Sequence, residues 1–222
     1  MNIRNLTVLK SNKHYRVNDL YNQCGPRWEQ DRQVILTDPQ YRETFLYHYL
    51  KNKKHEQDIN TFKQAVIQIG DKKMYPKPTD TELVVHLRMG DSMGTDDEFN
   101  TTDRVPDLLG KFDEIKNVIE NNDEIDKITV VTALHFGDCE LEDLHHYTDE
   151  TYNRNIQFLT KLEQQINSIG HEMNLVSNQD IDKDIYYMIH SKHFIPSISN
   201  LTRWIVIPCA DQQYIKIYTK SK

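Results

Sequence analysis

From residue 82 onward, apolar and polar residues alternate in blocks along the chain. The run 82-ELVVHLR-88 is short, apolar and β-favouring, so it predicts a strand. After a long polar loop, residues from about Pro106 to Asn121 carry Leu108, Leu109, Phe112, Ile115, Val118 and Ile119 at helical spacing. A second strand, 127-KITVVTA-133, precedes a long amphipathic helix, 150-ETYNRNIQFLTKLEQQINSIG-170, with Ile156, Leu159, Leu162 and Ile166 on one face and Gly170 at its end. Then come strand 171-HEMNLVS-177, a short helix from about Asp180 to Ser191, strand 193-HFI-195, the loop and helix start 196-PSISNLTRW-204, and a last strand, 214-YIKIY-218. Strands that alternate with amphipathic helices form βαβ units and a parallel sheet. The expected fold is therefore α/β, with a Rossmann-like parallel-sheet domain over residues 81–222.

The first 80 residues read differently. Residues 1–38 hold only short apolar runs such as 33-QVILT-37, which predict loops with one or two strands. Asp38 and Pro39 form an N-cap and first-turn proline signature, opening a helix that runs to about Tyr49 to Lys51. A second helix is expected from about Gln57 to Ile69, with Ile59, Phe62, Val66 and Ile69 on one face. The glycine and two prolines of 70-GDKKMYPKPTDT-81 make that stretch a connector. Residues 1–80 are thus expected to be a small, mainly helical N-terminal region.

Composition narrows the function classes. With 222 residues, 37% hydrophobic and 27% charged, the chain can bury one sizeable core, or a full domain with a small one beside it. No stretch reaches the ~18 to 20 apolar residues that span a bilayer, and the N-terminus lacks the apolar core of a signal peptide. The expectation is a cytoplasmic protein with no membrane span. A glycosylation sequon at Asn200, inside a candidate ligand loop, argues in the same direction. A formal net charge of -7 gives no basic footprint for nucleic acid. Three widely spaced cysteines, Cys24, Cys139 and Cys209, make neither a disulfide framework nor a zinc pattern.

Candidate chemistry gathers where such sheets bind ligands, outside the carboxyl ends of the strands. His86 and Arg88 are two apart on one strand, so they share a face next to the loop opened by Gly90. The arginine fork matches phosphate oxygens and stays charged at any working pH, which makes a pyrophosphate the natural guest. The plainer alternative is a salt bridge from Arg88 to Asp91 and a satisfied core imidazole at His86. In 190-HSKHFIPSISNLTRW-204 a strand ends in a Ser/Asn/Thr-rich loop entering a helix, where amide N–H groups, the helix dipole and the hydroxyls of Ser197, Ser199 and Thr202 suit a phosphate. Its plainer alternative is an N-cap with spare hydroxyls.

Together VVHLRMGD and HFIPSISNLTRW resemble two motifs of the fucosyltransferase superfamily, the HxRxGD segment and a later strand with a Ser/Asn/Thr-rich loop. The resemblance spans about residues 40 to 210. It implies a GT-B fold whose C-terminal domain holds a nucleotide-sugar donor, usually GDP-fucose, with inverting, metal-independent transfer to a glycan or other hydroxyl acceptor. No cofactor beyond the donor substrate is implied. By position, Arg88 would contact the pyrophosphate and stabilise the leaving GDP, and His86 would line the donor pocket. Gly90 would let the backbone approach, Asp91 would brace the loop, and Ser197, Ser199, Asn200 and Thr202 would cradle the phosphates. Three features depart from the pattern. Met89 stands where many members carry a second basic residue, a GxLGN-like motif is absent, and only about 80 residues precede the HxR strand. The acceptor half is then reduced, or completed by a partner chain or a second copy. A non-catalytic nucleotide-sugar-binding protein is the alternative reading.

Two further clusters are weaker. His135, Asp138, Cys139, His145 and His146 match no standard zinc spacing, and by the family analogy their loop approaches the base and ribose. Asp96, Asp97 and Glu98 read as a solvated acidic loop. Tyr186, Tyr187 and Met188 are expected in the core.

Overall fold

The computed structural model describes residues 8–9, 33, 36–39, 42, 45–52, 59–90, 93, 104–135, 148–177, 181–199 and 201–219. Its centre is a six-stranded sheet in which every pairing is parallel: β1 Val8–Leu9, β2 Glu82–Gly90, β3 Lys127–His135, β4 Met173–Ser177, β5 His193–Ile195 and β6 Lys216–Ile217. Across the sheet the order is β6, β5, β2, β3, β4. β1 extends the β4 side at the carboxyl end of β3, where Val8 pairs Leu134 and Leu9 pairs His135. The chain order therefore reverses between β2 and β5. In open parallel sheets the loops on either side of such a reversal diverge and leave a crevice at the carboxyl edge.

Both sheet faces are covered, so the strands bury residues on both sides, including the polar Glu82 and His86 of β2. Leu83, Val85, Leu87 and Met89 of β2 pack with Ile128 and Val130 against α3 Arg104–Leu109, α4 Lys111–Glu120 and α5 Asp149–Ser168. On the other face Val84, Val131 and Phe194 pack against α1 Phe45–Asn52, α2 Ile59–Lys72, α6 Ile181–Ile189 and the π-helical turn Thr202–Val206, which runs on into the short α7 Ile207–Cys209. The two early helices thus share one core with the sheet, through Phe45, Phe62 and Val66. Gly70 of α2 lies so close to α6 that a Cβ there would run into the Tyr186 ring. Tyr186, Tyr187 and Met188 are buried as expected.

Several expected elements differ in detail. Gln33, Leu36 and Thr37 are helical rather than loop or strand, and the Thr37 hydroxyl donates back to the Gln33 carbonyl four residues earlier. The Arg42 amide donates to the Pro39 carbonyl in a turn, and α1 is Phe45–Asn52, with the Phe45 amide capped by the buried Asp182 carboxylate at 3.0 Å. A distant acid thus replaces Asp38 as the cap. The helix expected over 106–121 is two helices broken at Gly110, which leaves Leu109 exposed although it lies in the apolar stripe. The long helix is as expected, capped by a reciprocal Thr148–Thr151 box and closed before Gly170, whose φ is 86°. Strand 171–177 begins two residues late, at Met173, and the last strand shrinks to two residues. Among the described residues no helix is long and apolar enough to cross a membrane.

Candidate functional site

The even-numbered residues of β2 point to the α1, α2 and α6 face, so His86 and Arg88 stand together there, near the carboxyl end of the strand, as the alternation requires. His86 is buried, and its Nδ1 is 2.7 Å from the Ser197 hydroxyl, across the β2–β5 reversal. The two motifs, 111 positions apart, therefore meet. Burial first, then the charges of Arg88 and Lys111, push the His86 imidazole down to about 3. It is neutral near pH 7 and acts there as a hydrogen-bonding group rather than a proton carrier. The Arg88 guanidinium is half-buried, and its Nη1 donates to the Met89 carbonyl at 3.1 Å.

Gly90 ends β2 with φ 92°, a left-handed backbone that favours glycine. Its amide donates to Asn155 Oδ1 at 2.8 Å, and its carbonyl accepts from Asn155 Nδ2 at 3.1 Å. Asn155 is fully buried on α5 and also donates to the Thr151 carbonyl at 2.7 Å. One side chain thus closes the end of the strand much as a neighbouring strand would. Both polar groups of Gly90 are engaged within the protein.

The loop after β5 is tied largely to itself. The Ser199 hydroxyl accepts from the Thr202 amide at 3.2 Å and shares a hydrogen bond with Thr202 Oγ1. Thr202 Oγ1 donates to the Ser197 carbonyl at 2.7 Å and lies 3.0 Å from the Ser199 carbonyl. The Ser199 amide donates to the Ser197 carbonyl, the Arg203 amide to the Ser199 carbonyl, and the Ile198 amide to Asp107 Oδ2 at 3.1 Å. Loop N–H groups are expected to face a phosphate, but amides 198, 199, 202 and 203 already have protein acceptors. The N-cap alternative describes Ser199 and Thr202. Only Ser197 of the three hydroxyls reaches across to the HxR strand.

Sequence reasoning missed the group that anchors this loop. Lys111, 1% exposed, donates to Asp107 Oδ1 at 3.0 Å, Glu114 Oε2 at 2.8 Å and the Pro196 carbonyl at 2.9 Å. The only sequence signal is the (i, i+4) and (i, i+3) spacing of opposite charges, which most often marks an exposed helix pair. Beside the loop lies a cavity of about 400 Å³ bounded by Lys111, Glu114, Ile198, Arg203, Ile207 and Tyr218.

Asp91 and Asn200 lie outside the described residues, as do Asp96, Asp97, Glu98 and the 136–147 loop with Asp138, Cys139, His145 and His146. The sequence matches no protein-family model and no curated protein.

Proposed function

We propose that the chain is a fucosyltransferase-like glycosyltransferase of GT-B type, whose Rossmann-like domain holds a nucleotide-diphosphate sugar, GDP-fucose by the motif resemblance, at the crevice between β2 and β5. The observation that carries this reading is the His86–Ser197 hydrogen bond, which joins the two motifs at the place where the strand order reverses. In this reading Arg88 supplies a fixed cation to the diphosphate, and neutral His86 and Ser197 line the pocket. An acceptor hydroxyl attacks the anomeric carbon from the opposite side and gives up its proton to water or to a basic group beside the acceptor, the bond from that carbon to the diphosphate oxygen breaks, GDP departs with the bonding electrons, and the configuration inverts. Without a divalent ion, the growing charge on the leaving diphosphate is met by Arg88 and by polar groups set in advance.

The test has two arms. GDP should raise the melting temperature of the protein more than UDP does, because a ligand that binds only the folded state stabilises it. GDP should then be released from GDP-fucose when glycan acceptors are added, with release surviving excess EDTA. No thermal response to any nucleotide removes the reading. Chelation-sensitive release restored by Mg²⁺ removes its metal-independent part.

A non-catalytic nucleotide-sugar-binding protein is the second reading, and one observation favours it. The amides at 198, 199, 202 and 203 and the hydroxyls of Ser199 and Thr202 are already hydrogen-bonded, so this loop has few donors left for a leaving diphosphate. GDP binding with no acceptor-dependent release selects it. In a turnover reading the acceptor side comes from the short N-terminal region, a partner chain or a second copy.

A further inference from the structure

The cluster around Lys111 does not have the charge of an anion site. One ammonium faces two carboxylates, so Asp107, Lys111 and Glu114 together carry a formal charge of about -1 and would repel a phosphate. Its geometry suits another task. All three ammonium protons have acceptors, and one of these is the Pro196 carbonyl. Asp107 divides its two oxygens between Lys111 and the Ile198 amide. The residues immediately before and after Ser197 are thus held by the adjoining helices α4 and α3, at distances of 2.9 and 3.1 Å, while Ser197 itself bonds His86 at 2.7 Å.

We infer that Lys111 and Asp107 are positioning residues: by gripping Pro196 and Ile198 they set the Ser197 hydroxyl against His86, and so shape the crevice at the β2–β5 reversal. The link to ligand binding rests on the reading of that crevice as a nucleotide-diphosphate site. The grip itself does not. Burying an ammonium is unfavourable unless every proton is matched, and an apolar residue of similar volume commonly serves stability as well or better. What an apolar residue cannot do is hold a loop carbonyl in one place. Pro196 and Ser197 are thus held from two sides, the Pro196 carbonyl by Lys111 of helix α4 and the Ser197 carbonyl by the Thr202 hydroxyl.

The decisive measurement uses the ligand-free 222-residue chain and ¹⁵N shifts of the His86 imidazole, followed over pH in wild type, Lys111→Met, Asp107→Asn and Glu114→Gln. Wild type should show one fixed tautomer that stays neutral well below pH 6. Lys111→Met should average the two ring nitrogens and move the titration of His86 upward, because Ser197 is no longer held and a nearby positive charge is gone. Should that variant fail to fold, Asp107→Asn decides. Its single amide oxygen must serve either Lys111 or the Ile198 amide, so the averaging of the two ring nitrogens should appear to a smaller extent, without the upward titration that loss of the Lys111 charge brings. Glu114→Gln disturbs the ion cluster but touches no loop backbone, and its His86 spectrum should stay near wild type. Wild-type nitrogen shifts and titration in folded Lys111→Met or Asp107→Asn overturn the inference, and so does an equally large change in Glu114→Gln. GDP titrated into the same samples should bind roughly tenfold more weakly to Lys111→Met, as loss of one placed contact predicts. If wild type binds no GDP, the nucleotide reading falls, and the His86 spectra still decide the positioning role.

Discussion

His86 on β2 and Ser197 beyond β5 share a buried hydrogen bond of 2.7 Å although 111 residues separate them. Neither strand brings its own partner. The contact exists because β5 pairs directly with β2 in parallel register, Val85 beside Ile195, so that the next even position of β2 meets the loop that β5 enters. Residues coupled in this way should not behave independently. Ser197→Ala leaves a buried imidazole nitrogen without its partner, at a cost of about 1–3 kcal/mol in urea unfolding. The double variant His86→Leu/Ser197→Ala should lose less than the sum of the single changes, with a coupling of ~0.5–3 kcal/mol. Additive losses would mean that the contact contributes nothing specific.

The neutral state of His86 has a consequence in acid. The folded imidazole is held down to about 3, whereas in an unfolded chain histidine protonates near ~6.5. Between those values the unfolded chain binds a proton that the folded chain refuses. The stability this contributes is complete above the unfolded value and is lost as pH falls toward the folded one, with a slope of at most about 1.4 kcal/mol per pH unit. Unfolding free energy measured from about pH 7 down to about pH 5 should therefore fall less steeply in His86→Asn than in wild type. His48, His190 and His193 are also lowered by burial, but they are common to both proteins and drop out of the comparison. Parallel slopes would place His86 in an ordinary solvated environment.

Asn155 allows a test of the end of β2 that involves no ligand. Its amide makes three hydrogen bonds, two of them to Gly90, in a fully buried position. Asn155→Ala strands the amide and carbonyl of Gly90 and should destabilise by about 2 kcal/mol or more. Asn155→Asp keeps the acceptor for the Gly90 amide but cannot donate, so it should be destabilising as well, and less so as the pH drops far enough to protonate it. Variants within about 0.5 kcal/mol of wild type would show that water replaces the clamp.

The parts of the fold legible in the sequence are those set by local pattern. The apolar run of 82-ELVVHLR-88 and the stripe through Leu159, Leu162 and Ile166 each report burial on a short length scale, and those elements lie where the pattern puts them. Long-range causes were invisible. The amide of Phe45 at the start of α1 is capped by Asp182, some 137 residues away, a contact that no local pattern announces. Gly110 breaks a helix whose apolar spacing runs on unchanged, and exposed Leu109 shows that spacing alone does not decide burial. In the site, parity along β2 and the strand order sufficed to bring His86 toward Ser197. Whether Ser199 and Thr202 face a ligand or their own backbone could not be read, because a hydroxyl that caps a helix and one that binds phosphate occupy the same kind of sequence. Lys111 was hidden for a related reason: its spacing to Asp107 and Glu114 is that of any surface pair, and only burial distinguishes it.

Arg88 is where the nucleotide reading is most exposed to refutation. Beside a neutral His86 it brings permanent charge to this face of β2, and its guanidinium is already partly ordered by the Met89 carbonyl at 3.1 Å, so little further ordering would be needed to meet a diphosphate. A charge-assisted contact of this kind is worth roughly 1.5–3 kcal/mol, so Arg88→Ala should weaken GDP binding by about tenfold to a hundredfold in calorimetric titration. Arg88→Lys should recover only part of the loss, because an ammonium cannot fork onto two phosphate oxygens. The charge on Arg88 also helps to hold His86 neutral, so Arg88→Ala should shift the titration of His86 upward even without nucleotide. That second readout separates the two roles. A folded Arg88→Ala protein with a shifted His86 but undiminished GDP affinity would leave Arg88 as a neighbour of the imidazole and remove it from the diphosphate site.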